Sequence, residues 1–203
     1  QEGVLHDALW DPEFCRRLLD AVVRRRRLKG AGGELVFWAG RAGRQLAATD
    51  LAALEPSVLQ VEQSNTSVLF GDRLILKLFR RLGDGVNPEL EILRFLDERT
   101  SFENIPPLLG GIEYRRDREE PLTLALLEGF IPHGGQDAWD YTLDALHRYF
   151  EGLLTRQPEA LAPEPPTGHL LDLAAQPIPA PAAEAIGPYL EAARLLGQRT
   201  AEL

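Results

Sequence analysis

The 203-residue sequence predicts an α+β fold: an antiparallel sheet of about five strands with one helix inserted after the third. Three observations carry that reading. Residues 57–131 hold short apolar runs of strand length separated by turn residues. Asn87-Pro88 opens one well-signalled helix within them. The segment after residue 131 changes to long helical spacing broken by a Pro- and Ala-rich stretch.

Each element has its own justification. Residues 1–56 are mixed. Asp11 as N-cap and Pro12 at the first helical position start a helix over Glu13–Arg27, with Phe14, Leu18, Leu19, Val22 and Val23 on one apolar face. Gly30, Gly32 and Gly33 are expected to end it. Glu34–Trp38 reads as a strand and Ala47–Leu54 as a weak strand or a turn. In residues 57–131 the expected strands are Val58–Glu62, Ser67–Phe70 and Arg73–Phe79, with Gly71-Asp72 as a two-residue hairpin turn. Asn87 and Pro88 start a helix to about Arg99, with Leu90, Leu93 and Leu96 as its core stripe and Glu89 and Glu91 in the positive first turn. Leu109–Arg115 and Pro121–Phe130 give two more strands around the charged turn RRDREE. In residues 132–203, Ala138–Leu154 is helical, Gln157–Pro181 is expected to be irregular, and Ala182–Leu203 is helical again.

Composition narrows the function classes. A net charge of −9 argues against nucleic acid as a partner. A single cysteine, Cys15, excludes an internal disulfide framework and suits a reducing cytoplasm. No run of eighteen apolar residues occurs, so no membrane partner is expected. His6, His133, His147 and His169 have no metal-ligand spacing, and neither G-x-S-x-G nor H-E-x-x-H is present. The chain contains no methionine, and its first and last residues carry no start or stop signal. We therefore expect a piece of a longer polypeptide.

The chemistry concentrates in residues 58–91. Alternation along Arg73–Phe79 places Ile75, Lys77 and Phe79 on one face and Leu74, Leu76 and Leu78 on the other. A lysine among such neighbours needs a charge partner or a ligand, unless its stem simply covers apolar surface at an exposed face. The segment Gln63-Ser64-Asn65-Thr66-Ser67 offers backbone amides and hydroxyls that can cradle phosphate oxygens. Taken alone, it reads as an ordinary hairpin loop. Glu89 or Glu91 supplies a carboxylate that can reach Lys77 and hold it over phosphates. Helical periodicity favours Glu89, which flanks the Leu90–Leu93–Leu96 stripe. Either glutamate also complements the helix dipole. Asp137 is expected to cap the helix that follows and Trp139 to pack against it.

The run VEQSNTSVLFGDRLILKLFRRLGDGVNPELEILRFL resembles the amino lobe of bacterial maltokinases, a family that also occurs fused to trehalose synthase. The pieces NIPPLLGGIEY, LALLEGFIPHGGQDAWDYTLDALHRYF and IGPYLEAARLLGQRTAEL agree with it. The resemblance covers nearly the whole chain. It implies that residues 1–56 are the end of an amino-terminal cap, 57–131 a protein-kinase-like amino lobe, and 132–203 a hinge and the first helices of an incomplete C-lobe. It also implies transfer of the γ-phosphoryl of ATP, with Mg2+, to the anomeric hydroxyl of maltose, giving maltose 1-phosphate. Gln63, Ser64, Asn65, Thr66 and Ser67 become the phosphate loop and Lys77 the ATP lysine. The family pattern N-P-(D/E)-x-E points to Glu91 as the partner of Lys77, so both glutamates stand. Glu128, Gly129 and Phe130 become the hinge that touches adenine. The family's catalytic H-G-D-x-H segment and metal-binding aspartate are expected beyond Leu203, which makes the isolated chain an expected non-catalyst. The intact enzyme is expected to take ATP and maltose, with a trehalose synthase domain as a possible companion and self-association through exposed C-lobe helices. The competing reading is a non-catalytic kinase-like module that docks on trehalose synthase. Kinases for aminoglycosides or choline share the lobe but lack the NIPPLLGGIEY and DAWDYTLD pieces.

Overall fold

The computed structural model describes the chain except residues 1, 2, 5, 47–50, 52, 60–63, 84, 133, 135 and 155–166. It divides into two compact units, residues 1–132 and 133–203.

The first unit is built on one antiparallel sheet of seven strands: β1 (Arg27–Gly30), β2 (Gly33–Ala39), β3 (Pro56–Val58), β4 (Asn65–Phe70), β5 (Leu74–Phe79), β6 (Leu108–Arg115) and β7 (Leu122–Gly129). Their order is β1-β2-β6-β7-β5-β4-β3. The expected count of five is therefore too low. The extra strands come from the first 56 residues: β2 pairs along the free edge of β6, with Phe37 opposite Ile112, and β1 folds back on β2. The physical cause is visible in β6, which is buried from Leu108 to Glu113 and needs a neighbour on both edges. The expected strand Val58–Glu62 is seen as β3 at Pro56–Val58; residues 60–62, like most of Ala47–Leu54, lie outside the described residues.

Helix α1 (Pro12–Val23) starts as the sequence dictates: the Asp11 carboxylate accepts from the Glu13 amide at 2.9 Å, with Pro12 in the first turn. It stops four residues earlier than expected, and no glycine stops it. Arg25 takes a left-handed conformation, φ 53°. The Arg26 amide donates to the Ala21 carbonyl and the Arg25 amide to the Val22 carbonyl. That pair of bonds is a Schellman termination. The Arg24 and Arg26 guanidinium groups both reach Asp20, and the chain is released into β1. The buried face of α1 is Cys15, Leu19 and Val22, while Phe14 turns outward.

Alternation in the strands gives the sheet two different faces. On one, Val68, Phe70, Leu74, Leu76, Ala125 and Leu127 pack with Cys15, Leu19 and Val22 of α1. Gly110 on β6 is required by this approach, since a Cβ there would meet the Trp38 carbonyl and lie 2.8 Å from Val22 Cγ1. On the other face, Leu108 and Leu126 pack with Leu90 and Leu93 of α2 (Pro88–Arg99). The Asn87 side chain caps α2 by accepting from the Glu89 and Leu90 amides. The β4–β5 turn has three residues rather than two, because Phe70 pairs with Leu74 and Gly71 takes φ 59°.

The second unit contains α3 (Ala138–Leu154), α4 (Leu170–Ala174) and α5 (Ala180–Glu202). Asp137 caps α3 through the Asp140 amide at 2.8 Å, as expected, but Trp139 is 68% exposed instead of packed. Of the stretch Gln157–Pro181, expected to be irregular, residues 157–166 lie outside the described residues, Leu170–Ala174 forms the short helix α4, and α5 begins at Ala180. Helix α5 kinks at Ile186, two residues before Pro188, whose ring cannot follow a regular turn. Tyr141 and Tyr189 stack with ring centroids 6.3 Å apart.

Candidate functional site

The α2-side face of the sheet gathers the polar groups. Lys77 sits on β5 with Ser67 of β4 directly opposite, and Asn65 faces Phe79 two residues along. On the other side of β5, Leu126 of β7 is opposite Lys77, which makes Glu128 its diagonal neighbour on the same face. Glu89 arrives from above, in the first turn of α2, where the Asn87 cap fixes its direction.

These placements meet at one nitrogen. Lys77 Nζ lies 2.7 Å from Glu89 Oε1 and 3.1 Å from Glu128 Oε2. The choice between Glu89 and Glu91 is settled by α2: the first turn delivers Glu89 to Lys77 and leaves Glu91 exposed. The Lys77 side chain is 22% exposed and that of Glu89 36%, whereas Glu128 is 2% exposed. Burial pulls the Lys77 amine down, but bonds to the two carboxylates outweigh it and hold the amine above an ordinary lysine. Burial pushes the Glu128 carboxyl above the usual carboxylate range against the pull of Lys77. Glu128 Oε1 is buried with no hydrogen-bond partner among the described residues.

The expected phosphate loop is rearranged. Gln63 lies outside the described residues, and Asn65, Thr66 and Ser67 belong to strand β4 rather than to a loop. Only Ser64 stays at the exposed entry to the strand, its carbonyl accepting from the Arg80 amide. Alternation then divides the set: Asn65 and Ser67 share the Lys77 face, while Thr66, opposite Leu78, points to the α1 side. Ser67 is fully buried.

Of the residues expected at the hinge, Glu128 and Gly129 belong to strand β7 and Phe130 follows it. Glu128 lies mid-sheet, paired to Ile75 on one edge and Leu108 on the other. The Gly129 amide donates to the Pro107 carbonyl and the Phe130 amide to the Arg73 carbonyl. Glu128 thus contributes its side chain to Lys77, and the amides of Gly129 and Phe130 are already engaged. Leu127–Gly129 reads as a strand end by composition; only register against β5 and β6 shows that Glu128 shares a face with Lys77.

A second charged cluster has no signature in the sequence. Glu113 on β6 is buried and is held by Arg115 at 2.8 Å and by Arg94 of α2 at 3.7 Å. The Arg94 guanidinium also sits 5.2 Å from the Trp38 ring centroid. Two strands, β2 and β6, and helix α2 supply these groups, at separations no local pattern encodes. No set of three His, Cys, Asp or Glu side chains suited to a metal ion occurs among the described residues. No helix among them is long and apolar enough to cross a membrane.

No protein-family model matches the chain. Among solved structures it is similar to one described as glucosamine kinase (crystal form B), with 23% identity and a TM-score of 0.44. The match covers 70% of this chain, which spans 31% of that protein's chain. The site is therefore read from its own geometry.

Proposed function

We propose that the α2-side face of the sheet holds the polyphosphate of a nucleoside triphosphate, and that the chain is the nucleotide-holding part of a sugar kinase. The observation that carries this is the Lys77–Glu89 pair at 2.7 Å, reached from a capped helix and a central strand. An ammonium has three donors. Among the described residues Glu89 and Glu128 take two, which leaves one N–H to donate to an anionic oxygen at a partly open site. Ser67 and Asn65 stand on the same face beside it.

In this reading ATP supplies the phosphoryl group and its electrophilic phosphorus. Lys77 binds and orients the phosphates, and Glu89 holds Lys77 in place. The described residues offer no ligand set for magnesium, so no step is assigned to the metal here. The resemblance to maltokinases makes the acceptor the anomeric hydroxyl of maltose and the product maltose 1-phosphate, in a whole protein that also includes a catalytic segment and is cytoplasmic.

One observation favours a second reading. The Gly129 and Phe130 amides, two of the expected adenine contacts, are bonded to the Pro107 and Arg73 carbonyls and do not face a nucleotide base. A kinase-like interaction module with no adenine seat, docking on trehalose synthase, meets that condition.

Calorimetric titration separates the two. The 203-residue chain is expected to bind ATP, to bind AMP at least tenfold more weakly, and to lose ATP binding in Lys77→Met. Equal ATP affinity in wild type and Lys77→Met, or no binding at all, contradicts the nucleotide reading and leaves the module. For the sugar, a polypeptide that contains these residues is assayed for ATP consumption with maltose against glucosamine as acceptor. Preference for maltose is expected.

A further inference from the structure

We propose that Glu128 is a positioning residue for Lys77: it fixes the ammonium from within the sheet, so that Glu89 is the exchangeable partner. The two carboxylates differ in what holds them. Glu89 is in the first turn of a helix, 36% exposed, and can turn to water. Glu128 is on β7, between β6 and β5, with its main chain in register on both edges. Its side chain is sealed beneath the site, 2% exposed, and its Oε2 lies 3.1 Å from Nζ.

A carboxylate buried this deeply is costly without a cation. Lys77 is the cation that the described structure places within 4 Å of it. The reverse also holds. When Glu89 swings to solvent, or α2 shifts on the sheet, Lys77 keeps a partner that cannot follow the helix. The nitrogen then stays at one height above the sheet, which is what a site that must present a single N–H to an anion needs. The unpartnered Glu128 Oε1 fits a group placed for its neighbour and not for its own solvation. Choice of residue agrees with this. The chain has two lysines, Lys29 and Lys77, its other side-chain cations being arginine apart from histidine. An ammonium presents its donors from one compact charged nitrogen, so a single point serves both carboxylates.

The consequence for phosphate binding rests on the nucleotide reading above, but the placement of Lys77 does not, and the two can be tested apart. The probe is amine acylation by a water-soluble N-hydroxysuccinimide ester, read by peptide mass spectrometry without nucleotide. Lys29, exposed on β1, is the internal reference. Relative to Lys29, Lys77 is expected to react slowly in wild type. In Glu89→Gln it should remain within about threefold of wild type, because Glu128 still holds it. In Glu128→Gln it should react roughly tenfold faster, equivalent to about one pKa unit. A purely structural role for Glu128 would lower the melting temperature without this change in relative labelling. Lys77 labelling within twofold of wild type in folded Glu128→Gln overturns the proposal. Should Glu128→Gln fail to melt cooperatively, Glu128→Asp withdraws the oxygen by one methylene and carries the same threshold. ATP titration of the same proteins reports on the other question: changed labelling with no ATP binding upholds the Glu128 role and overturns the nucleotide reading.

Discussion

The two faces of the sheet are made by the same strands and do opposite work. On the α1 side, Leu76, Val68, Phe70 and Leu127 are fully buried in one apolar cluster with Cys15 and Val22. On the α2 side, the odd residues of β5 give Ile75, Lys77 and Phe79, and the apolar contacts of Leu90, Leu93, Leu108 and Leu126 surround a three-charge cluster. The difference shows how a period of two lets one strand serve both ends. Leu76 anchors the fold, and Lys77, its neighbour in sequence, faces the site.

If the α1 side holds the fold, its variants should act on stability first. Leu76→Ala is expected to destabilise by about 2–5 kcal/mol, the range for a fully buried leucine, seen as a lower urea midpoint. The α2 side should respond differently. Lys77→Met strands Glu128 without its cation and should cost on the order of 1–3 kcal/mol, most of it recovered in Lys77→Met/Glu128→Leu, which removes both charges. Recovery in the double variant marks the cost as electrostatic; no recovery would make the α2 side a packing face like the other.

A smaller effect follows from the raised Glu128 carboxyl. Its folded form binds a proton more readily than the unfolded chain does, so its contribution is present at low pH. That contribution falls as pH rises from the ordinary carboxylate value through the raised one. The stability difference between wild type and Glu128→Gln, followed by denaturation from pH 4 upward, should shift against wild type across that window. The smallest effect belongs to the helix turn. Glu91→Gln should change stability by less than about 0.5 kcal/mol and leave Lys77 untouched, whereas Glu89→Gln lowers the pH at which Lys77 gives up its proton.

The α1 and α2 helices, the β5 alternation and the Asn87 cap were legible because each is a local pattern. So was Glu89, through its flank of the leucine stripe. What escaped is non-local. β2 joins the sheet because β6 is buried on both faces and needs a second edge partner, a demand made more than seventy residues downstream. Helix α1 ends on Arg25 in a conformation that glycine usually supplies, and composition gives no hint of it. Gln63–Ser67 looks like a loop because its residues are polar, yet Asn65 and Ser67 are polar because they face the charged side of a strand. Glu128 reads as a strand end, and only register reveals it as the second carboxylate on Lys77.

The claim that joins these observations is that the Lys77 donor left over among the described residues meets a polyphosphate. Protection of Lys77 from acylation tests it most directly, with Lys29 as the reference in the same molecule. Millimolar ATP should slow Lys77 labelling at least fivefold and leave Lys29 unchanged, while AMP at the same concentration should do neither. Equal Lys77 labelling with and without ATP would contradict the account.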